Sequence, residues 1–194
     1  MQITIKTNLD QVLRQLELQQ QRVREATARG LSDTVRETRL DVMRELPRVF
    51  DRPVPFTLRG IGYTPAHPSA LTARVFIRPA QARYLALMIA GGTERPKRRA
   101  LLDPVALELD LFGNIGRRKI KQLLRRPDVF SATLRSTPGL WQRVGRQVRL
   151  LVRYTDDRQV RPRFDFVGIA KRTIARRLQA NLRAQLARAL RSAK

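Results

Sequence analysis

Leu9, Val12, Leu13, Leu16, Val23, Ala26, Leu31, Val35, Val42, Leu46 and Val49 recur mostly at intervals of three and four. That period belongs to one face of an α-helix, and it runs for some forty residues. At ~1.5 Å per residue, such a helix reaches roughly 55–60 Å. This exceeds the width of a small domain, so part of the helix is expected to pack against another subunit. Gly30 interrupts the run and predicts a kink or a close contact. Pro47 marks its approaching end. The polar stretch Gln19-Gln20-Gln21-Arg22 is a candidate exposed or inter-subunit turn. Ahead of the helix, residues 2–6 alternate as a short strand, and Asn8 or Asp10 can cap the helix.

A second helical pattern closes the chain, from about 165 to 192. Ile174, Leu178, Leu182, Leu186 and Leu190 step by four, with alanines beside them. A strict four-residue step drifts around a helix, so the stripe slants and can meet more than one neighbour. Between the two helices, residues 50–160 read as strands and loops. Phe50-Asp51-Arg52-Pro53-Val54-Pro55-Phe56-Thr57 carries two prolines that exclude a regular helix. Residues 59–64, 70–78, 129–135 and 142–154 have β character, and 80–90 reads as a short helix. Phe112-Gly113-Asn114, Pro138-Gly139 and Asp156-Asp157 are turn signals. Arg117 to Arg126 reads as a short basic helix ended by Pro127. The expected fold is α+β in a single domain, 1–194: two long helices on a small antiparallel sheet, with basic loops.

Composition narrows the function. The 194 residues carry 40 Lys and Arg against 16 Asp and Glu, a net charge of +24. Such a chain attracts polyanions. Most of the cations are Arg, the better bidentate partner of phosphate; a GC-rich genome would also raise Arg and Ala together. Cysteine is absent, and His67 is the single histidine, set between prolines in a loop-like stretch. Thiolate metal sites, disulfides, a Cys nucleophile and a His-based triad are therefore excluded within one chain. Asp156-Asp157 reads as a solvated turn, because a divalent cation wants several converging oxygens. Asp103, Glu108 and Asp110 are expected to balance neighbouring arginines. Gly91-Gly92 lacks the spacing of either nucleotide-binding fingerprint. No catalytic residue, cofactor or metal is expected. No apolar run reaches the ~18 residues that span a membrane, and Met1 to Lys6 lacks a signal-peptide core. A cytosol-like setting without membrane contact is the expectation.

The candidate contacts are basic. Arg95, Lys97, Arg98 and Arg99 form one cluster, and Arg117, Arg118, Lys119, Lys121, Arg125 and Arg126 a second. Lys171, Arg172, Arg176 and Arg177 form a third, at the start of the closing helix. None carries a base-reading module. They suit non-specific phosphate contact or the acidic faces of neighbouring subunits, and the two uses are compatible.

The Phe50–Thr57 motif, the paired strands after it, Gly91-Gly92 with its basic loop, and Leu109-Asp110-Leu111-Phe112-Gly113-Asn114-Ile115 together resemble the minor tail protein Z family of tailed bacteriophages. The likeness extends to the long helix before the motif and the Ala/Arg-rich helix at the end. It implies a non-enzymatic virion protein assembled in the host cytoplasm. The implied role is tail completion at the neck, as a homo-oligomeric ring around the DNA channel, contacting other tail and connector proteins and passing genomic DNA. Phe50, Pro53, Pro55 and Phe56 are then expected to anchor the loop leaving the long helix. Arg95 to Arg99 would contact DNA or an adjacent ring. The competing reading is a free, non-specific nucleic-acid-binding protein of the packaging or nucleoid-like kind.

Overall fold

A computed structural model describes residues 9–96, 99–116 and 118–191. The chain is α+β and gathers into two compact units. The expected strand at 2–6, Asn8, Lys97, Arg98 and Arg117 lie outside the described residues.

Among the described residues, the first unit holds 9–45, Arg59–Arg78 and 166–191. Its spine is α1, Leu9–Val49, whose last turn belongs to the second unit. A hairpin of β1 (Ile61–Thr64) and β2 (Arg74–Ile77) pairs antiparallel, with Ile61 opposite Ile77. Both strands are shorter than the expected 59–64 and 70–78. The chain between them is occupied by a small bridge, His67 to Ala70. The closing helix α5, Phe166–Arg191, completes the unit.

α1 is covered on two opposite faces. Ala28, Ser32, Val35, Arg39 and Val42 share one of them by helical period. From it, Ser32 Oγ accepts the Ala66 N–H at 3.0 Å and Arg39 Nε donates to the Ile61 carbonyl at 2.9 Å. Ala28, Val35, Val42 and Ile61 are buried. The other face carries Gly30, Asp33, Thr34, Glu37 and Asp41, and α5 bonds to it. Thr173 Oγ1 and Arg176 donate to Asp41 at 3.0 and 2.9 Å. Asn181 Nδ2 donates to Thr34 Oγ1 at 3.1 Å, and Gln185 Nε2 to Asp33 at 2.6 Å. Gly30 is a close contact rather than a break: a Cβ there would lie 3.0 Å from the Leu182 Cα. The helices meet through a glycine and short polar side chains, which permits close approach.

The second unit holds Leu46–Leu58 and Pro79–Asp165. Its core is a four-stranded antiparallel sheet in the order β4-β7-β6-β5: β4 Leu101–Pro104, β5 Val129–Leu134, β6 Thr137–Val144 and β7 Gln147–Thr155. Leu123, Val129, Leu140, Leu151 and Val152 form the buried cluster. Leu123 comes from the short helix α4, Lys119–Leu123. Two more strands, β3 (Gly92–Glu94) and β8 (Arg158–Val160), pair separately. Helix α3, Pro79–Ala90, precedes β3 and buries Gln81 and Leu85.

Two expectations are corrected here. The run 142–154 is not one strand. Gly145, at φ 60°, and Arg146 turn the chain between Val144 and Gln147, a two-residue hairpin with glycine first. Pro138-Gly139 is not a turn either. The reversal comes earlier, at Arg135 (φ 49°) and Ser136 (φ 61°), and Pro138 sits within β6. Pairing with β7 begins only at Gly139, so the missing proline N–H interrupts no bond on that side. Gly139 is needed because a Cβ would strike the Val152 carbonyl oxygen.

Candidate interaction site

The two motifs that carry the family resemblance meet in the second unit. α1 continues as a helical bond from the Phe50 N–H to the Leu46 carbonyl, and the Phe50 ring tilts against Phe164 at 5.9 Å. The chain then turns through Arg52, at φ 43°. The Arg52 guanidinium grips the Asp51 carboxylate, with Nη2 3.1 Å from Oδ2. Hydrogen bonding to Asp51 holds Arg52 above the usual arginine range, and Asp110 adds to the same field.

Asp110 belongs to the second motif and builds its turn. Its Oδ1 accepts the N–H groups of Phe112 at 2.9 Å and Asn114 at 2.8 Å. The Gly113 N–H closes on the Asp110 carbonyl at 2.9 Å. Gly113 has φ 74°, and a Cβ there would lie 3.2 Å from Arg52 Nη2. Glycine thus serves twice, for the left-handed turn and for the approach of Arg52.

Of the expected anchors, Phe50 is half-buried, Pro53 is half-buried and Pro55 is exposed. Pro55 starts a short helix, α2 (Pro55–Leu58), where a first-turn proline costs no hydrogen bond. The expectation that the prolines exclude helix there is corrected for these four residues. Phe56 is 53 % exposed, and its carbonyl, not its ring, is held, by Gln81 Nε2 at 2.9 Å. Buried Thr57 shares a 2.9 Å hydroxyl bond with Tyr84. Gln81 went unnoticed in the sequence because no pattern marks a lone buried amide.

The basic clusters divide between solvent and internal work. Arg95, Arg99, Arg118, Lys121 and Arg125 are exposed. Lys119 is half-buried and pairs with Glu108 at 3.2 Å. Arg126 grips Asp128 at 2.6 Å, and with Gln142 it holds that carboxyl down to about 2. In the third cluster, Arg176 and Arg177 reach Asp41 and Glu37 of α1 at 2.9 and 3.6 Å, so they tie helices together. Lys171 stays exposed.

A basic feature outside these clusters lies at β8. Arg158 bridges Glu94 at 2.6 Å and Asp103 at 3.2 Å, joining β8 to both β3 and β4. Beside it, Met88, Gln159, Val160, Arg161 and Arg163 line a crevice of about 490 Å³. Among the described residues, neither Arg161 nor Arg163 forms an ion pair, so both can meet an outside anion. The signal in the sequence was three arginines within six residues, Arg158, Arg161 and Arg163.

Asp156 and Asp157 are exposed in the turn after β7, and His67 is exposed with Nδ1 2.7 Å from Ser69 Oγ. Among the described residues, no group of three His, Cys, Asp or Glu could hold a metal ion, and no helix is long and apolar enough to cross a membrane. Comparison with family models, with curated proteins and with solved structures returns no match.

Proposed function

We propose that this chain is a structural, non-enzymatic subunit of a tailed-phage virion, a tail completion or neck protein that assembles as a ring around the DNA channel. The resemblance to the minor tail protein Z family supplies the role. The observation that carries it in the fold is residues 13–24 of α1, exposed on every side while bearing Leu13, Leu16, Leu18 and Val23. Three turns of leucine-bearing helix left wet are an interaction surface, because contiguous exposed apolar area marks partners. The joining of the Phe50–Thr57 and Leu109–Ile115 motifs through Arg52 and Gly113 supports treating them as one structural signature. The exposed arginines suit a channel wall or acidic neighbours. Immunogold labelling of purified particles tests the role. Label confined to the head–tail junction is the expected result; label on heads alone, or none, would overturn it.

The Arg161 and Arg163 crevice favours a second reading, a non-specific polyanion binder. Each phosphate contact adds about one to the salt slope of duplex binding. If DNA meets the crevice, replacing both arginines with alanine lowers that slope by roughly 2. Tight binding by a small soluble species would favour this reading over the ring.

A further inference from the structure

Residues 143–149, at the end of the β6–β7 hairpin, are all exposed. β5 pairs with β6 only as far as Gln142, and β4 meets β7 no nearer the tip than Val152. The tip is therefore a two-stranded ribbon with no neighbouring strand on either side, turned by Gly145 and Arg146. It carries Arg143, Arg146 and Arg149 and no acid, and the whole run 129–155 contains none. Among the described residues, none of these three arginines forms an ion pair. The acid at the base of the ribbon is Asp128, whose carbonyl accepts the Arg143 N–H at 2.8 Å. Its carboxylate is already held by Arg126 and Gln142. Arg153, farther along β7, lies opposite Asp103 of β4 and is not part of the site. Arg143 Cζ stands 4.9 Å over the Phe130 ring, which positions that guanidinium without neutralising it.

We propose that this ribbon is a binding site for duplex DNA and enters it by the major groove. Successive residues of a strand point to opposite faces of the sheet. Arg149 lies opposite Gln142, and Gln142 opposite buried Val129, so Arg149 is on the face of the buried cluster. Arg143 follows Gln142 and stacks on Phe130, so it is on the other face. Arg146 occupies the tip. Cations on both faces and at the tip suit a ligand that flanks the ribbon with anions on two sides. A flat acidic protein surface would meet only one face. The major groove of B-DNA, about 12 Å wide between two phosphate walls, admits a two-stranded ribbon. The major groove of A-form RNA is too narrow. Val144 and Val148, 54 % and 43 % exposed, then lie towards base edges, where thymine methyls offer apolar contact. The contact belongs to a single copy, so it stands or falls separately from the ring and from the β8 crevice.

Binding of the full chain to a mixed-sequence DNA duplex is measured against salt, beside the RNA duplex of the same sequence. Each arginine on a phosphate contributes about 0.9 to the salt slope. The triple variant Arg143→Ala, Arg146→Ala, Arg149→Ala should lower the DNA slope by roughly 2.7 and the RNA slope little. A control of equal charge, Arg14→Ala, Arg22→Ala, Arg24→Ala on the exposed part of α1, should leave the DNA slope unchanged. Trp141 fluorescence checks that the sheet is intact. Arg146→Ala with Arg149→Ala, which keeps the stack on Phe130, should lower the slope by roughly 1.8. The unmodified chain should protect guanine N7 from dimethyl sulfate, and the triple variant should not. The proposal is overturned by any of four results: no duplex binding at low salt, equal slope losses in the two triple variants, equal losses on DNA and RNA, or guanine N7 left unprotected.

Discussion

Replacing Gly30 with alanine sets two effects of similar size against each other. In an open helix, the change stabilises by about 1 kcal/mol through helix propensity. Here the added Cβ would lie 2.9 Å from Leu182 Cδ2, 3.0 Å from its Cα and 3.2 Å from its N. The methyl can rotate away, but the backbone atoms cannot. α5 must therefore retreat by a few tenths of an ångström, along the stretch that holds the Asn181–Thr34 and Gln185–Asp33 bonds. Overpacking of this kind costs about 1–3 kcal/mol. Against the propensity gain, the expected net is a destabilisation of roughly 1 kcal/mol. Urea unfolding followed by far-ultraviolet circular dichroism, which reports chiefly α1 and α5, measures it. The single tryptophan, Trp141 in β6, gives a separate fluorescence probe of the second unit. A Gly30→Ala chain stabilised by the full helix-propensity value would refute the close contact between the helices.

Other outcomes follow from the sheet and its turns. Arg135 and Ser136 both hold left-handed backbone, at a cost of about 1–2 kcal/mol per ordinary residue. Converting the pair to Asn-Gly should raise the thermal midpoint seen by Trp141 fluorescence, and no rise would contradict the turn assignment. Gly139→Ala drives a methyl into the Val152 carbonyl and to 2.6 Å from Leu150 Cδ1, and should cost about 3 kcal/mol in urea unfolding. A neutral result would mean β6 and β7 do not pair in this register. The Asp128 carboxyl should titrate near 2 by carbon NMR and move up towards the ordinary range in Arg126→Ala. Because its native pKa is depressed, its contribution to stability is whole above the ordinary value of 3.8 and fades as pH falls towards about 2. Asp128→Asn should flatten that part of the acid-unfolding curve.

The long helices were legible because a period sustained over many turns outweighs any local exception. Their interface was not. Asp33, Thr34, Glu37 and Asp41 meet Thr173, Arg176, Arg177, Asn181 and Gln185 through hydrogen bonds and ion pairs, residues that an apolar period passes over. The hairpins were misplaced for a related reason. Arg135-Ser136 carries no turn chemistry, while Pro138-Gly139 carries it and lies in a strand, so neighbouring strands decided the register against local preference. β3, β4 and β8 are three or four residues long and depend on partners far along the chain. Each basic cluster was visible as charge, but charge does not reveal which arginines are already engaged. Arg176 ties helices together and Arg158 ties strands, whereas Arg161 and Arg163 remain available to anions. The Phe50–Thr57 and Leu109–Ile115 motifs were each legible alone; the contact of Arg52 with Gly113 needed the fold.

The central claim is that this chain joins phage heads to tails. Electron microscopy of particles assembled from a genome lacking its coding sequence tests that claim most directly. The account predicts filled heads and separate, full-length tails that combine when the purified protein is added back. Normally joined, infectious particles formed without it would contradict the account.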